Sequence, residues 1–299
     1  MAIHKLPMAL LLLLLAVMLL PSLHKPLHAA DEDDDGSKRL QEKETIRKSF
    51  NLTAAHKTLD VDNIFGSIDV VGGQGDQVQL VVNKTIYAES KERMEAAKKE
   101  VTLDVTEQPD LLKLYVNGPF RCNRQDGCDG RHGDRGYTVE MDFQLQVPRN
   151  IEVKLKTVNS GHVNVRDVIG NFSIHNVNGG IELSDVAGSG IAKTVNGGVK
   201  ATFRENPREK SDFSTINGNI EMYFVHGLAA DFRFKTMNGR VYSDFEMTSL
   251  PAHPANVERQ SGRFVFRSDR YTGGRIGNGG PEITAENLNG EIRVLERHE

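Results

Sequence analysis

Polar and apolar residues alternate through much of this chain. Val139-Glu140-Met141-Asp142-Phe143-Gln144-Leu145-Gln146-Val147 keeps period two without a break. That is the pattern of a strand with one buried and one wetted face. Residues 45–60, 78–87, 111–116 and 137–147 read as strands on the same grounds. Near 89–100 the pattern turns helical: Met94 and Ala97 sit among charges, with no Gly or Pro.

From residue 151 onward the alternation acquires a longer beat. The frame [Thr/Asn]-apolar-Asn-Gly-x-[Ile/Val]-x-apolar recurs at Asn178-Gly179, Asn196-Gly197, Asn217-Gly218, Asn238-Gly239 and Asn289-Gly290. Thr157-Val158-Asn159-Ser160-Gly161 is a copy with one extra residue, and Asn63-Ile64-Phe65-Gly66 is a distant one. The glycines at 161, 179, 197, 218 and 239 step by 18, 18, 21 and 21. Within the first rungs Asp167-Val168-Ile169-Gly170 returns as Asp185-Val186-Ala187-Gly188, so each rung holds two turns and two short strands.

A fixed period near 20 marks a solenoid, whose units bury their apolar faces only by stacking. Asn-Gly suits a tight turn with positive φ at both positions. Stacking at ~4.8 Å would align Asn178, Asn196, Asn217 and Asn238 as one ladder and Thr194, Thr215 and Thr236 as another. A β-sandwich competes, because Asn-Gly hairpins serve there too; the fixed step favours the solenoid. The expected fold is all-β: an N-terminal β region at 45–150 with a loop at 117–136, then a β-solenoid-like region at 151–299. Residues 251–280 break the beat and are read as an insertion, and 282–295 is read as the copy that closes the domain.

The N-terminus differs. Lys5, an apolar run at 8–20, Pro21 and then Ala29-Ala30 have the plan of a secretory signal peptide at 1–30, with the cut after Ala29 or Ala30. The run is shorter than the ~20 residues that span a bilayer, and no transmembrane segment is expected after cleavage. An acidic leader, expected to be disordered, occupies 31–44, opening with a block of like charge at 31–35. With 37 basic and 41 acidic residues the net charge is −4. That is not the basic field of a nucleic-acid protein. The absence of Trp speaks against platforms for stacking sugars.

Cys122 and Cys128 are close together in a chain read as exported. They are expected to form a disulfide that shapes an exposed loop. With His132 beside them they match no strong zinc pattern. Asp167 and Asp185, one rung apart, form a carboxylate pair of the kind a sugar-cleaving enzyme uses as acid and base; the plainer reading has both holding turns. Gly72-Gly73-Gln74-Gly75-Asp76 reads as a turn between strands. No His-Glu-x-x-His, Gly-x-Ser-x-Gly, phosphate loop or dinucleotide fingerprint occurs.

Three features occur together: the repeated Thr-x-Asn-Gly-x-[Ile/Val] phrase, the strand ending Gln146-Val147-Pro148, and Ile151 to Thr157 running into the first rung. On these the chain resembles the bacterial exported putative-adhesin family of unknown function, the Toastrack type, over roughly 50–299. The resemblance implies an all-β solenoid-like domain, a periplasmic or cell-surface location and an adhesive or scaffold role. It brings no catalytic residue. The expected protein is an exported, non-enzymatic adhesin-like or envelope scaffold module without a cofactor, meeting an unknown surface or envelope partner, protein or glycan. A polysaccharide lyase or glycoside hydrolase on a β-helix, and an envelope-stress regulatory partner, are the alternatives.

Overall fold

The computed structural model describes residues 39–121, 135–251, 256–260, 263–267 and 271–298. The expected signal peptide, most of the acidic leader, Cys122, Cys128 and His132 lie outside the described residues. What is described is almost wholly β: a sheet of ten strands and a sheet of eleven, whose inner faces meet in one hydrophobic core. Each rung gives one strand to each sheet. Glu152–Lys156 with Val163–Arg166, Phe172–His175 with Ile181–Val186, Gly190–Lys193 with Val199–Phe203, and Ser211–Asn217 with Ile220–Phe224 stack in parallel register. Period two sorts the side chains. Ile181, Leu183, Val199, Ala201, Ile220 and Met222 are buried, while Glu182, Lys200 and Glu221 between them face out. Phe203 stacks on Phe224 at 5.1 Å, and Phe213 and Phe232 meet this pair edge-on. A fully buried large apolar side chain contributes about 1.5–3 kcal/mol, against about 1 for a hydrogen bond. The inward columns therefore carry most of the stability.

The N-terminal region belongs to the same two sheets. Thr58–Asp62 and Ile68–Gly73 form an earlier rung, with Asn63 and Gly66 in frame positions. Tyr137–Pro148, Gln77–Ala88 and Leu40–Asn51 extend the first sheet beyond it, and Leu111–Asn117 and Thr102–Glu107 extend the second. The stretch at 45–60, expected as one strand, is two, and residues 40–44, expected in the disordered leader, belong to the first of them because they pair in register with Gln77–Ala88. Leu40–Asn51 edges the first sheet and Thr58–Asp62 lies in the second, because the chain crosses between sheets past the buried Leu52. The edge strand carries Glu42, Lys43, Glu44, Arg47 and Lys48, charges that discourage pairing with another chain. The helix is Lys91–Glu100, capped by Ser90, with Met94 and Ala97 buried. The buried Lys84 ammonium donates to the Val101 carbonyl at its far end, where the helix dipole favours a cation.

The rungs do not stack in chain order. Ala230–Lys235 with Val241–Ser243 leaves a place empty beside the preceding rung, and Glu282–Asn289 with Ile292–Glu296 fills it. The last copy in sequence is thus an inserted rung, not the closing one. Each copy presents the same frame to its neighbours, so a step counted along the chain does not register a skipped place. Within 251–280, Thr272–Ile276 runs antiparallel to Ala230–Lys235. Thr248–Leu250, just before this segment, pairs on it in turn, and the two end the second sheet. Asn256–Gln260 and Arg263–Arg267 pair as a hairpin.

Stacking demands the frame glycines, and at Gly179, Gly197 and Gly290 a positive φ of 155, 155 and 128 adds to the demand. A Cβ on Gly179 would stand 1.8 Å from the Gly161 carbonyl oxygen, and one on Gly239 would stand 1.8 Å from that of Gly290. Gly197, Gly218 and Gly290 face the rung beneath them in the same way, at 2.4, 2.1 and 2.2 Å. The frame asparagines do not take positive φ; among described non-glycine residues Ser160, Asp167 and Asp185 do. The hairpin turn expected at Asn-Gly is therefore absent. The chain turns a corner from one sheet to the other and does not fold back within one, so no mirror-image turn is needed. Gly180 is different: a Cβ there would meet the Gly198 carbonyl at 3.4 Å, an ordinary contact. Gly179→Ala is expected to lose about 1–3 kcal/mol by overpacking, and Gly180→Ala less than about 0.5. Paired thermal melts showing equal losses would overturn this account of the frame.

Candidate functional site

Six asparagines at the corner between the sheets form one chain of side-chain hydrogen bonds. Asn178 donates its Nδ2 to Asn159 Oδ1 at 2.8 Å, Asn196 to Asn178 at 2.8 Å and Asn217 to Asn196 at 2.8 Å. Asn289 donates to Asn217 at 2.7 Å and Asn238 to Asn289 at 2.8 Å. The expected ladder is real, and the inserted rung places Asn289 between Asn217 and Asn238. Phe65 occupies the equivalent position beside Asn159, and the amide chain stops there. Two residues before the asparagines, side chains reach back to the glycine carbonyl of the neighbouring rung: Thr157 to Gly66, Asn176 to Gly161, Thr194 to Gly179, Thr215 to Gly197 and Asn287 to Gly218. The frame is thus a clamp from each rung to the one beside it.

Because that Thr or Asn points inward, the next residue must point out. Val158, Val177, Val195, Ile216, Leu288 and Met237 form an aliphatic surface column, with Ile216 44% and Met237 71% exposed. Sequence reasoning missed it. The signal was the strict alternation across Thr-apolar-Asn.

The outer face of the first sheet carries a row of paired charges. Asp69 accepts from Asn164 Nδ2 at 2.8 Å and lies 3.4 Å from His162 Nε2. Lys200 binds Glu182 at 3.1 Å, and this hydrogen bond raises the lysine pKa. Arg293 binds Glu221 at 3.1 Å and also holds Glu291. An open groove of about 430 Å³ crosses four rungs beside this row, with Gly180 and Gly198 between His162 and Asn219. Further along the same face, Gln79, Gln144 and Gln146 line a second hollow with Asp69.

The outer face of the second sheet aligns Lys156, His175 and Lys193 on adjacent strands. Burial, then Lys193 and Lys156, lower the His175 pKa. Lys193 is held by Asp212 at 2.7 Å. Burial alone would raise the Glu286 pKa, but hydrogen bonds from Lys235 and Tyr271 outweigh it and leave the group lowered.

Asp167, just past the strand Val163–Arg166, and Asp185, at the bulge of Ile181–Val186, both take left-handed geometry, φ 57 and 54. Asp167 lies 3.6 Å from Arg204 and 3.9 Å from Arg149. Asp185 is bound by Arg297 at 2.7 Å. Arg297 also donates to the Phe203 carbonyl, and its backbone N–H donates to Phe224, so it straps several rungs together. Both carboxylates are held by arginines. Among the described residues no three His, Cys, Asp or Glu gather as metal ligands, and no helix is long and apolar enough to cross a membrane.

No protein-family model and no curated protein matches the chain. Among solved structures it is similar to a putative cell adhesion protein from Clostridium sporogenes, at 10% identity and TM-score 0.41, covering 86% of this chain and 100% of that one. It is also similar to a putative adhesin from Bacteroides fragilis, at 9% identity and TM-score 0.33, covering 85% and 97%. A putative adhesin from Parabacteroides distasonis follows, at 13% identity and TM-score 0.29, covering 85% and 97%. At such identities and TM-scores they assign no role to this chain.

Two measurements probe the faces. Thr194→Val leaves the Gly179 carbonyl without its donor in a largely buried place and is expected to cost about 1–3 kcal/mol. Asn196→Ala, whose former partners are open to water, is expected to cost less; urea titrations rank the two. A histidine whose pKa falls on folding favours its neutral form, so it removes stability as pH drops below the ordinary value of ~6.5 towards the lowered one. His175→Asn is expected to flatten that part of the stability–pH curve, and an unchanged slope would contradict the assignment.

Proposed function

We propose that the chain is an exported, non-enzymatic adhesin-like module of the cell envelope. It would meet a surface or envelope partner, protein or glycan, through its extended outer faces and use no cofactor. The observation that carries this reading is the stack of rungs with like side chains at constant spacing, which builds a long surface in place of a convergent pocket. The arginines that hold Asp167 and Asp185 support a structural role for that pair over glycan cleavage. The signal-like segment at 1–30 supports export, and an oxidising compartment supports a Cys122–Cys128 disulfide.

Fractionation and mass spectrometry of the full chain expressed in a bacterium test the export half. The expected product lies outside the cytoplasm, begins at Ala30 or Asp31 and has both cysteines blocked until reduced. Free thiols in the exported protein would remove the disulfide, and an uncut cytoplasmic product would remove export. The adhesion half predicts saturable binding of the labelled mature chain to isolated envelopes or whole cells. Retention no greater than that of an unrelated protein of equal charge would overturn it.

A further inference from the structure

Gly180 and Gly198 stand side by side on adjacent rungs; the fold leaves room for a side chain at Gly180 and only a tight fit at Gly198. Neither has a left-handed φ. A Cβ on Gly180 would meet only the Gly198 carbonyl, at 3.4 Å, and one on Gly198 would find the Asn219 carbonyl at 3.3 Å. Contrast Gly179 and Gly197, whose neighbours leave no room at all. What the two glycines do is keep a groove open: they line the 430 Å³ trough together with Glu182, Lys200, Asn219 and Glu221. That volume lies within the ~300–1,000 Å³ of ordinary ligand clefts. Spanning four strands at ~4.8 Å spacing, the trough is about 14 Å long.

We infer that this trough binds a stretch of a neutral, hydroxyl-rich polysaccharide laid across the rungs. The chemistry of the walls selects that class. The charges beside the groove are paired within their own row, Glu182 with Lys200 and Glu221 with Arg293. A polyanion would meet the row's surplus of carboxylates, Glu182, Glu221 and Glu291 against Lys200 and Arg293, and a polycation would have to break these pairs. Paired carboxylates keep spare lone pairs, and the Asn219 side chain adds an amide, so hydroxyl groups, which both donate and accept, satisfy the walls without disturbing them. An extended peptide fits less well. Peptides are recognised along a bare strand edge or in an apolar groove, and this is the polar face of a paired sheet. The only ring on the trough's walls is the His162 imidazole, at one end and beside Asp69, and no Phe, Tyr or Trp lines it, so each contact is weak and retention comes from repeated engagement along one polymer.

The inference rests on the chain being a surface-binding module, and the two fail separately. Amide NMR spectra of the mature chain are recorded with cellohexaose, maltohexaose and chitohexaose, and with polygalacturonate as the charged control. At least one neutral hexamer is expected to shift the amides around 180–200 and 219–221. Combined Gly180→Leu and Gly198→Leu, with an unchanged fold by circular dichroism, should weaken that binding by roughly tenfold or more. Should the double variant misfold, Glu221→Ala tests the same wall from a half-buried, outward-facing position and is expected to weaken binding as well. No shift with any hexamer, shifts elsewhere on the protein, stronger binding of polygalacturonate, or undiminished binding by folded variants would each overturn the groove. Envelope attachment that survives the double variant would sink the saccharide site and leave the module standing. Saccharide binding without envelope attachment would do the reverse.

Discussion

The close approach of one rung's corner to the next is the constraint on which this structure depends. At Gly161, Gly179, Gly197, Gly218, Gly290 and Gly239 the backbone of one rung lies where a side chain's first carbon would be on its neighbour. Only at that spacing can Thr194 or Thr215 reach the glycine carbonyl on the adjacent rung, and only then do the asparagine amides meet in a continuous chain. The hydrogen bonds are individually modest. Their work is to hold register: a slip of one residue would turn Ile181, Leu183 and their counterparts out into water. Burial supplies the stability and the corners decide which residues receive it.

The same stacking writes the surface. Once the rungs are in register, every outward position becomes a row, and the character of each row is set by residues far apart in sequence. Asp69 meets Asn164 and His162, Glu221 meets Arg293, and Asp185 meets Arg297. The aliphatic column of Val158, Val177, Val195, Ile216, Leu288 and Met237 runs beside the amide ladder because alternation leaves those side chains nowhere else to go. The outer face of the first sheet is consequently long, charge-paired and interrupted by a trough, a shape suited to extended partners. Capping follows a different logic at each end. The N-terminal strands Leu40–Asn51 and Thr102–Glu107 are antiparallel and charged at their edges, while Thr272–Ile276 and Thr248–Leu250 cover the second sheet at the other end.

Local pattern is enough to read the rungs, the amide ladder and the buried face of each strand, because alternation and the Asn-Gly frame act over a few residues. The sequence alone also determines that Asp167 and Asp185 stand at equivalent positions of adjacent repeats. It does not determine what they touch. Arg204 and Arg297 reach them across rungs, and no short-range signal announces those partners. The rung order belongs to the tertiary structure for a related reason: copies with the same frame are interchangeable in sequence, and only packing places Asn289 between Asn217 and Asn238. The asparagine φ angles and the room at Gly180 and Gly198 are likewise decided in three dimensions. The room at the glycines depends on whether a neighbouring backbone is 2 Å or 3.4 Å away, a distance that the chain's own residues acquire only when the rungs come together.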